Sequence, residues 1–223
     1  MTDYTEPHWQ SSGLILIDMQ VDFAEGGSSP IAGTAAVAPN VARLSAAFRA
    51  AGRPVVHVVR LYDPAGTDVD LTRRELIESG ARIVAPRSAG SAIIAGLAAS
   101  DDPSASLPID PEPLLAGRPL ELRDHEIVLF KPRWGAFYRT VLETWLRERD
   151  VDTVVVAGCN LPNCPRATLF EASERDFRTV LAPDSASQTS PQRLDDLAAI
   201  GVNLVPADTI IKRVQSPAVG VLA

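Results

Sequence analysis

Cysteine is scarce in this sequence: 223 residues hold two thiols, Cys159 and Cys164, too close together to build a disulfide framework. Long apolar runs are missing as well. None approaches the roughly 18–20 residues that a helix needs to cross a bilayer, so no membrane partner is expected. Positive charge is in short supply, with 21 lysines and arginines against 28 acids and a net charge of -7. A nucleic-acid partner needs a basic surface, and this balance argues against one. The opening MTDYTEPHWQSSG carries neither the basic nor the apolar stretch of a secretory signal. Together these absences predict a soluble protein in the reducing cytoplasm.

What the sequence does hold is an alternation. Short apolar runs, LILID at 14–18, PVVHVV at 54–59, EIVLF at 126–130, VDTVVVA at 151–157, RTVLA at 178–182 and VNLV at 202–205, recur along the chain. Continuous runs of this kind suit strands covered on both faces, as in a parallel sheet. Between them, 37–51, 138–149, 165–176 and 191–200 place apolar residues at helical spacing, with Gly52 and Gly201 as stops. Strand and helix in turn predict a doubly wound α/β layer structure with right-handed crossovers. One segment breaks the rhythm. Residues 60–125 include a predicted helix, LTRRELIE, and a proline-rich loop, DDPSASLPIDPEP. We read them as an insertion over one end of the sheet within a single domain spanning 1–223. The ends, 1–12 and 215–223, are expected to be loosely held.

In an open parallel sheet, ligands bind beyond the carboxyl ends of the strands. The first strand ends in Asp18, the third runs into Lys131, and the fourth leads through a short loop to Cys164. Each residue has a plainer use: a carboxylate can brace a loop, a lysine can be solvated, and a free cysteine can pack. Their convergence on one edge points to chemistry. Pro165 suits the first position of a helix, which puts Cys164 near the N-cap, facing unpaired N–H groups and the positive end of the helix dipole. Such a setting is expected to lower a thiol pKa, and a nearby ammonium pushes the same way. Asp18 can accept and return the thiol proton, while helix-start N–H groups hold an oxyanion.

These stretches resemble the isochorismatase-like cysteine hydrolase superfamily. LILIDMQVDF at 14–23 is similar to its first-strand signature, LFKPRWGAFYRT at 129–140 to its lysine segment, and VVVAGCNLPNCPRATLFEA at 154–172 to its nucleophile segment. The resemblance implies a Rossmann-like three-layer sandwich around a six-stranded, mostly parallel sheet, with an Asp18–Lys131–Cys164 triad. It implies thiolate attack on a C–N carbonyl, a thioester, and hydrolysis of that thioester without a cofactor. A non-proline cis peptide is implied at Cys159–Asn160, with the N–H groups of Asn160 and Cys164 as the oxyanion hole. A homo-oligomer, dimer or tetramer, is implied too.

The chain departs from the family pattern in two places. The loop Asn160–Asn163 reads NLPN where a threonine-containing stretch is common, and Gly135 stands where serine is frequent. Metal-dependent nicotinamidases of the superfamily use histidines after the second strand. Here HVVRLYDPAGTDVD has none after His57, which is read as a core residue, and Asp63, Asp68 and Asp70 are read as a solvated loop. No metal is expected. A cysteine at 164 favours an amide, lactam, imide or ureide substrate over the vinyl ether of isochorismatases proper, which stays an alternative. A non-catalytic small-molecule-binding protein is another. A redox dithiol is disfavoured, because the spacing is CxxxxC. Phe23, Arg60, Tyr62, Trp134 and Phe137 are the candidate substrate contacts. Arg133 is read as either substrate-facing or solvated, and Asp184 as a helix cap or a residue that fixes a loop.

Overall fold

The computed structural model describes residues 3–216. Among them, seven strands form one sheet: β1 (Ser12–Ile17), β2 (Val55–Val59), β3 (Leu120–Arg123), β4 (Glu126–Phe130), β5 (Thr153–Gly158), β6 (Arg178–Ala186) and β7 (Asn203–Leu204). Their spatial order is β3-β4-β2-β1-β5-β6-β7. Every pairing is parallel except that of β3 with β4. The sheet thus has one strand more than the six expected. The addition is β3, an edge strand whose LELR alternates half-buried and exposed residues. It lacks the continuous apolar run that marks strands covered on both faces.

The helices are α1 (Thr34–Ala50), α2 (Leu71–Glu78), α3 (Pro111–Leu115), α4 (Leu142–Arg147), α5 (Cys164–Ser173), α6 (Pro191–Ala198) and α7 (Ala207–Gln215). Successive strand residues point to opposite faces. Leu14 and Leu16 accordingly join a core with Leu44 and Phe48 of α1 and Ile210 of α7. Ile15 and Ile17 join another with Trp145 of α4, Leu169 of α5 and Leu197 of α6. Local signals set the helix ends: Ser190 caps α6 by accepting from the Arg193 N–H, and Pro191 follows at its first position. α4 starts later than the spacing predicts because Arg139 takes a φ of 55°, which a helix cannot contain.

Residues 60–125 do more than cover the sheet's end. They send Val69, Ile77, Ile83, Leu97 and Leu114 into the core shared with α1. They also hydrogen-bond alongside the chain leaving β1, from Val21 N–H to Ala92 O at 3.0 Å and from Ile94 N–H to Met19 O at 3.0 Å. Their last turn supplies β3. The expected looseness of the ends does not extend to Ser12, buried in β1, or to Gln215, which closes α7. Residues 1–2 and 217–223 lie outside the described residues.

Going outward from β1, the chain fills the sheet toward β2 and β4, then returns to pair β5 on the other side. The strand order therefore reverses between β1 and β5. The carboxyl ends of β1, β2, β4 and β5 meet around that point, where an open α/β sheet offers a crevice.

Candidate active site

Asp18 follows the last residue of β1, and its N–H is fixed to Val58 O at 2.9 Å. Lys131 follows β4 and donates its N–H to Val59 O at 3.1 Å. These strand-end bonds aim the two side chains at each other: Lys131 Nζ lies 2.9 Å from Asp18 Oδ2. Lys131 is fully buried and Asp18 only 3% exposed. Removing either charge from water costs several kcal/mol, so the pair is tolerable only as a pair. Asp18 Oδ1 is buried and has no hydrogen-bond partner among the described residues.

Cys164 is the first helical residue of α5, with Asn163 as N-cap and Pro165 second, one position later than the sequence suggested for Pro165. The resting thiol differs from expectation as well. Burial first, and the negative charge of Asp18 second, push Cys164 up to about 12, against the lowering influence of Lys131 and Arg60. The helix start does not outweigh a low-dielectric site beside a carboxylate. Cys164 therefore rests as a thiol in company with a carboxylate. Cys159 is fully buried, with its thiol donating to Asp18 O at 3.3 Å, and burial pushes its pKa well above the ordinary value.

The peptide bond Cys159–Asn160 is cis. The loop after it is held by Leu161 N–H to Ser187 O at 2.9 Å and Asn163 N–H to Asn160 O at 3.0 Å. The N–H groups of Asn160 and Cys164 donate to no protein acceptor among the described residues. Gly158, with φ 114°, lets β5 run close to β1: a Cβ there would stand 2.2 Å from Ile17 O.

A cavity of about 130 Å³ opens onto Asp18 and Cys164. Four of the five anticipated contacts, Phe23, Arg60, Tyr62 and Trp134, line it. Phe137 does not. It is buried in the core beneath α4 and α5, its ring 5.6 Å from that of Phe177. Arg60 Nη2 donates to Asp70 Oδ2 at 2.6 Å and Nη1 to Lys131 O at 3.3 Å, while Tyr62 Oη donates to the same Asp70 oxygen at 3.2 Å. Burial raises the Tyr62 pKa and keeps the phenol protonated. Burial also pushes Asp70 up, but the Thr72 hydroxyl and the Arg60 charge hold it below the usual carboxylate range. Asp70 is thus a buried brace, not part of a solvated loop.

Sequence reasoning missed Ser29, Ile31, Arg73, Ile83 and Asn163 in the cavity wall. Arg73 lay within the predicted LTRRELIE helix, but only long-range packing brings that helix to the strand ends. Arg133 is turned away and pairs with Asp68 at 3.1 Å. Asp184 accepts from Ala207 N–H at 3.0 Å and caps α7. His57 is buried in the middle of β2 with Nε2 2.7 Å from Glu126 Oε1, a core contact. A nicotinamidase-type metal does not fit these residues: Arg60 and Tyr62 occupy the end of β2, and Asp70 is spent on them. Among the described residues no three His, Cys, Asp or Glu side chains gather as a metal site.

The chain matches the isochorismatase domain over residues 12–204. It belongs to the isochorismatase family. An isochorismatase family protein from Desulfovibrio vulgaris, of known crystal structure, superposes with a TM-score of 0.75 at 31% identity, over 91% of this chain and 97% of that one. A probable inactive nicotinamidase of Arabidopsis thaliana is 31% identical over 201 residues, 87% of this chain and 91% of that protein. A ureidoacrylate amidohydrolase, RutB, of Methylobacterium radiotolerans is 27% identical over 208 residues, 85% of this chain and 72% of that enzyme.

Proposed function

We propose that this isochorismatase-family protein is a metal-independent cysteine amidohydrolase that cleaves a non-peptide C–N bond of a small molecule. The observation that carries the reading is Asp18, held by the buried Lys131, opening with Cys164 onto one cavity. Asp18 takes the Cys164 proton as sulfur attacks the carbonyl carbon, and Lys131 holds Asp18 in place. The oxyanion that forms accepts from the free N–H groups of Asn160 and Cys164. Asp18 then gives the proton to the departing nitrogen, the C–N bond breaks, and a thioester is left. Water loses a proton to Asp18 and attacks the thioester. The C–S bond breaks, the acid leaves, and Asp18 returns the proton to sulfur.

A high thiol pKa agrees with this order of events, because the proton leaves sulfur only as the carbonyl is engaged. A small-molecule substrate, a homo-oligomer and a cytoplasmic location belong to the same reading; no described helix is long and apolar enough to cross a membrane. The test is intact-mass spectrometry during turnover of a panel of amides, lactams, imides and ureides. It should trap an acyl adduct on Cys164 that Cys164→Ala cannot form. Wild-type rates in Cys164→Ala would sink the covalent mechanism.

A second reading, a small-molecule-binding protein without turnover, draws on the Arabidopsis relative described as inactive. It predicts ligand-induced thermal stabilisation with no released amine.

A further inference from the structure

Charge bookkeeping around the cavity leaves one cation over. Asp18 is neutralised by Lys131 at 2.9 Å, and Arg60 by Asp70 at 2.6 Å. Arg60 also spends its other terminal nitrogen on Lys131 O, and it is only 3% exposed. Neither pair has capacity left for a ligand's charge. Arg73 differs. It lines the same cavity from α2, half-buried, and its side chain makes no hydrogen bond or ion pair among the described residues. Its neighbour Arg74 is instead tied down, with Nη2 donating to Val69 O at 2.9 Å.

We propose that the substrate carries a carboxylate and that Arg73 binds it. This rests on the amidohydrolase reading and narrows its substrate class to short amido or ureido acids. A guanidinium offers parallel N–H donors that match the two oxygens of a carboxylate. The free N–H groups of Asn160 and Cys164 await a carbonyl oxygen elsewhere in the cavity. Arg73, Asn160 and Cys164 all line one cavity of about 130 Å³, a size that suits a short ligand able to reach both. One unmatched positive charge suits a monoanion; a phosphate dianion would bring more charge than the site can neutralise.

The test uses Cys164→Ala protein, which binds without turnover, titrated by calorimetry with 3-ureidoacrylate, succinamate and the methyl ester of each. The acids should bind about ten- to a hundredfold more tightly than their esters. Arg73→Gln in the same background should abolish that preference, and Arg73→Lys should restore part of it, keeping the charge without the fork. In the active protein, Arg73→Gln should raise KM for the acid while the alkylation rate of Cys164 by iodoacetamide stays unchanged. Equal binding of acid and ester, no binding of either acid, or a preference that survives Arg73→Gln overturns the proposal. Turnover of neutral amides as efficiently as acids would reject the carboxylate anchor and leave the amidohydrolase standing. Selective acid binding without turnover of any amide would do the reverse.

Discussion

Lys131 Nζ sits 2.9 Å from Asp18 Oδ2, with Lys131 fully buried and Asp18 reaching only the cavity. Lys131→Met should destabilise the protein by about 3–5 kcal/mol, since it strands a buried carboxylate. The double change Asp18→Asn with Lys131→Met should recover much of that loss. Urea unfolding of the four proteins measures the coupling, and a Lys131→Met protein as stable as wild type would show that the two groups do not meet as ions.

The Cys164 thiol, pushed up to about 12 by burial and then by Asp18, should alkylate slowly at pH 7 and faster at each step toward pH 10. Asp18→Asn removes a charge that keeps the proton on sulfur. Its labelling at pH 8 should therefore speed up although turnover is lost. Peptide mass spectrometry separates Cys164 from Cys159, which should stay unlabelled in the folded protein. Slower labelling in Asp18→Asn would mean that the carboxylate already draws the proton away at rest.

Gly158→Ala places a methyl group 2.2 Å from Ile17 O at a φ of 114°. Neither backbone can yield without opening the β1–β5 pairing. We expect a loss of about 3 kcal/mol or more, against about 1 kcal/mol for Gly52→Ala, which meets open space. Thermal unfolding of the two variants side by side gives the comparison; equal melting temperatures would contradict it.

Glu126 Oε1 gathers His57 Nε2 at 2.7 Å, Arg49 Nη1 at 3.0 Å and the Ala99 N–H at 3.0 Å. Burial alone raises its pKa, but the hydrogen bond and field of His57, with help from Ala99 and Arg49, leave it lowered. A lowered folded pKa adds stability above the unfolded value of about 4.3, and that stability drains away as pH falls through the folded value. The melting temperature should thus drop steeply below about pH 4. Glu126→Gln should melt lower at neutral pH and show a shallower acid limb. An unchanged acid limb in Glu126→Gln would assign the effect to other carboxylates.

The parts of the fold that were legible in the sequence are those where a single stretch of chain decides the outcome. Continuous apolar runs give away β1, β2, β4 and β5, because burial on both faces permits little else. Asp18, Lys131 and Cys164 were readable because each follows directly from such a run or from the loop after it. β3 escaped because an edge strand needs only half a buried face. Phe137 was misplaced for a different reason: the chain bends at Gly135, whose missing side chain leaves room for the Glu171 carboxylate, and that carboxylate holds the Phe137 N–H so that Phe137 is buried while Trp134 stays exposed at the cavity. The thiol pKa was misjudged because a local motif reports the helix start, whereas burial is set by residues far away in sequence. Arg73 and the Asp70 brace share that cause.

The stretch from Arg60 to His125 lends the protein two things at once: a wall for the cavity and, in β3, a cover for β4. Asp18, Lys131 and Cys164 ride on other parts of the chain, so the exposed residues of this excursion can change while Arg60, held to Lys131 O and to Asp70, and the core residues Val69, Ile77 and Ile83 must stay. It cannot simply be dropped. Its loss would leave the backbone of β4 as a naked border open to pairing with another molecule. The cavity wall and the shielding of an edge are thereby tied to one piece of chain, which can vary only where it neither packs nor braces.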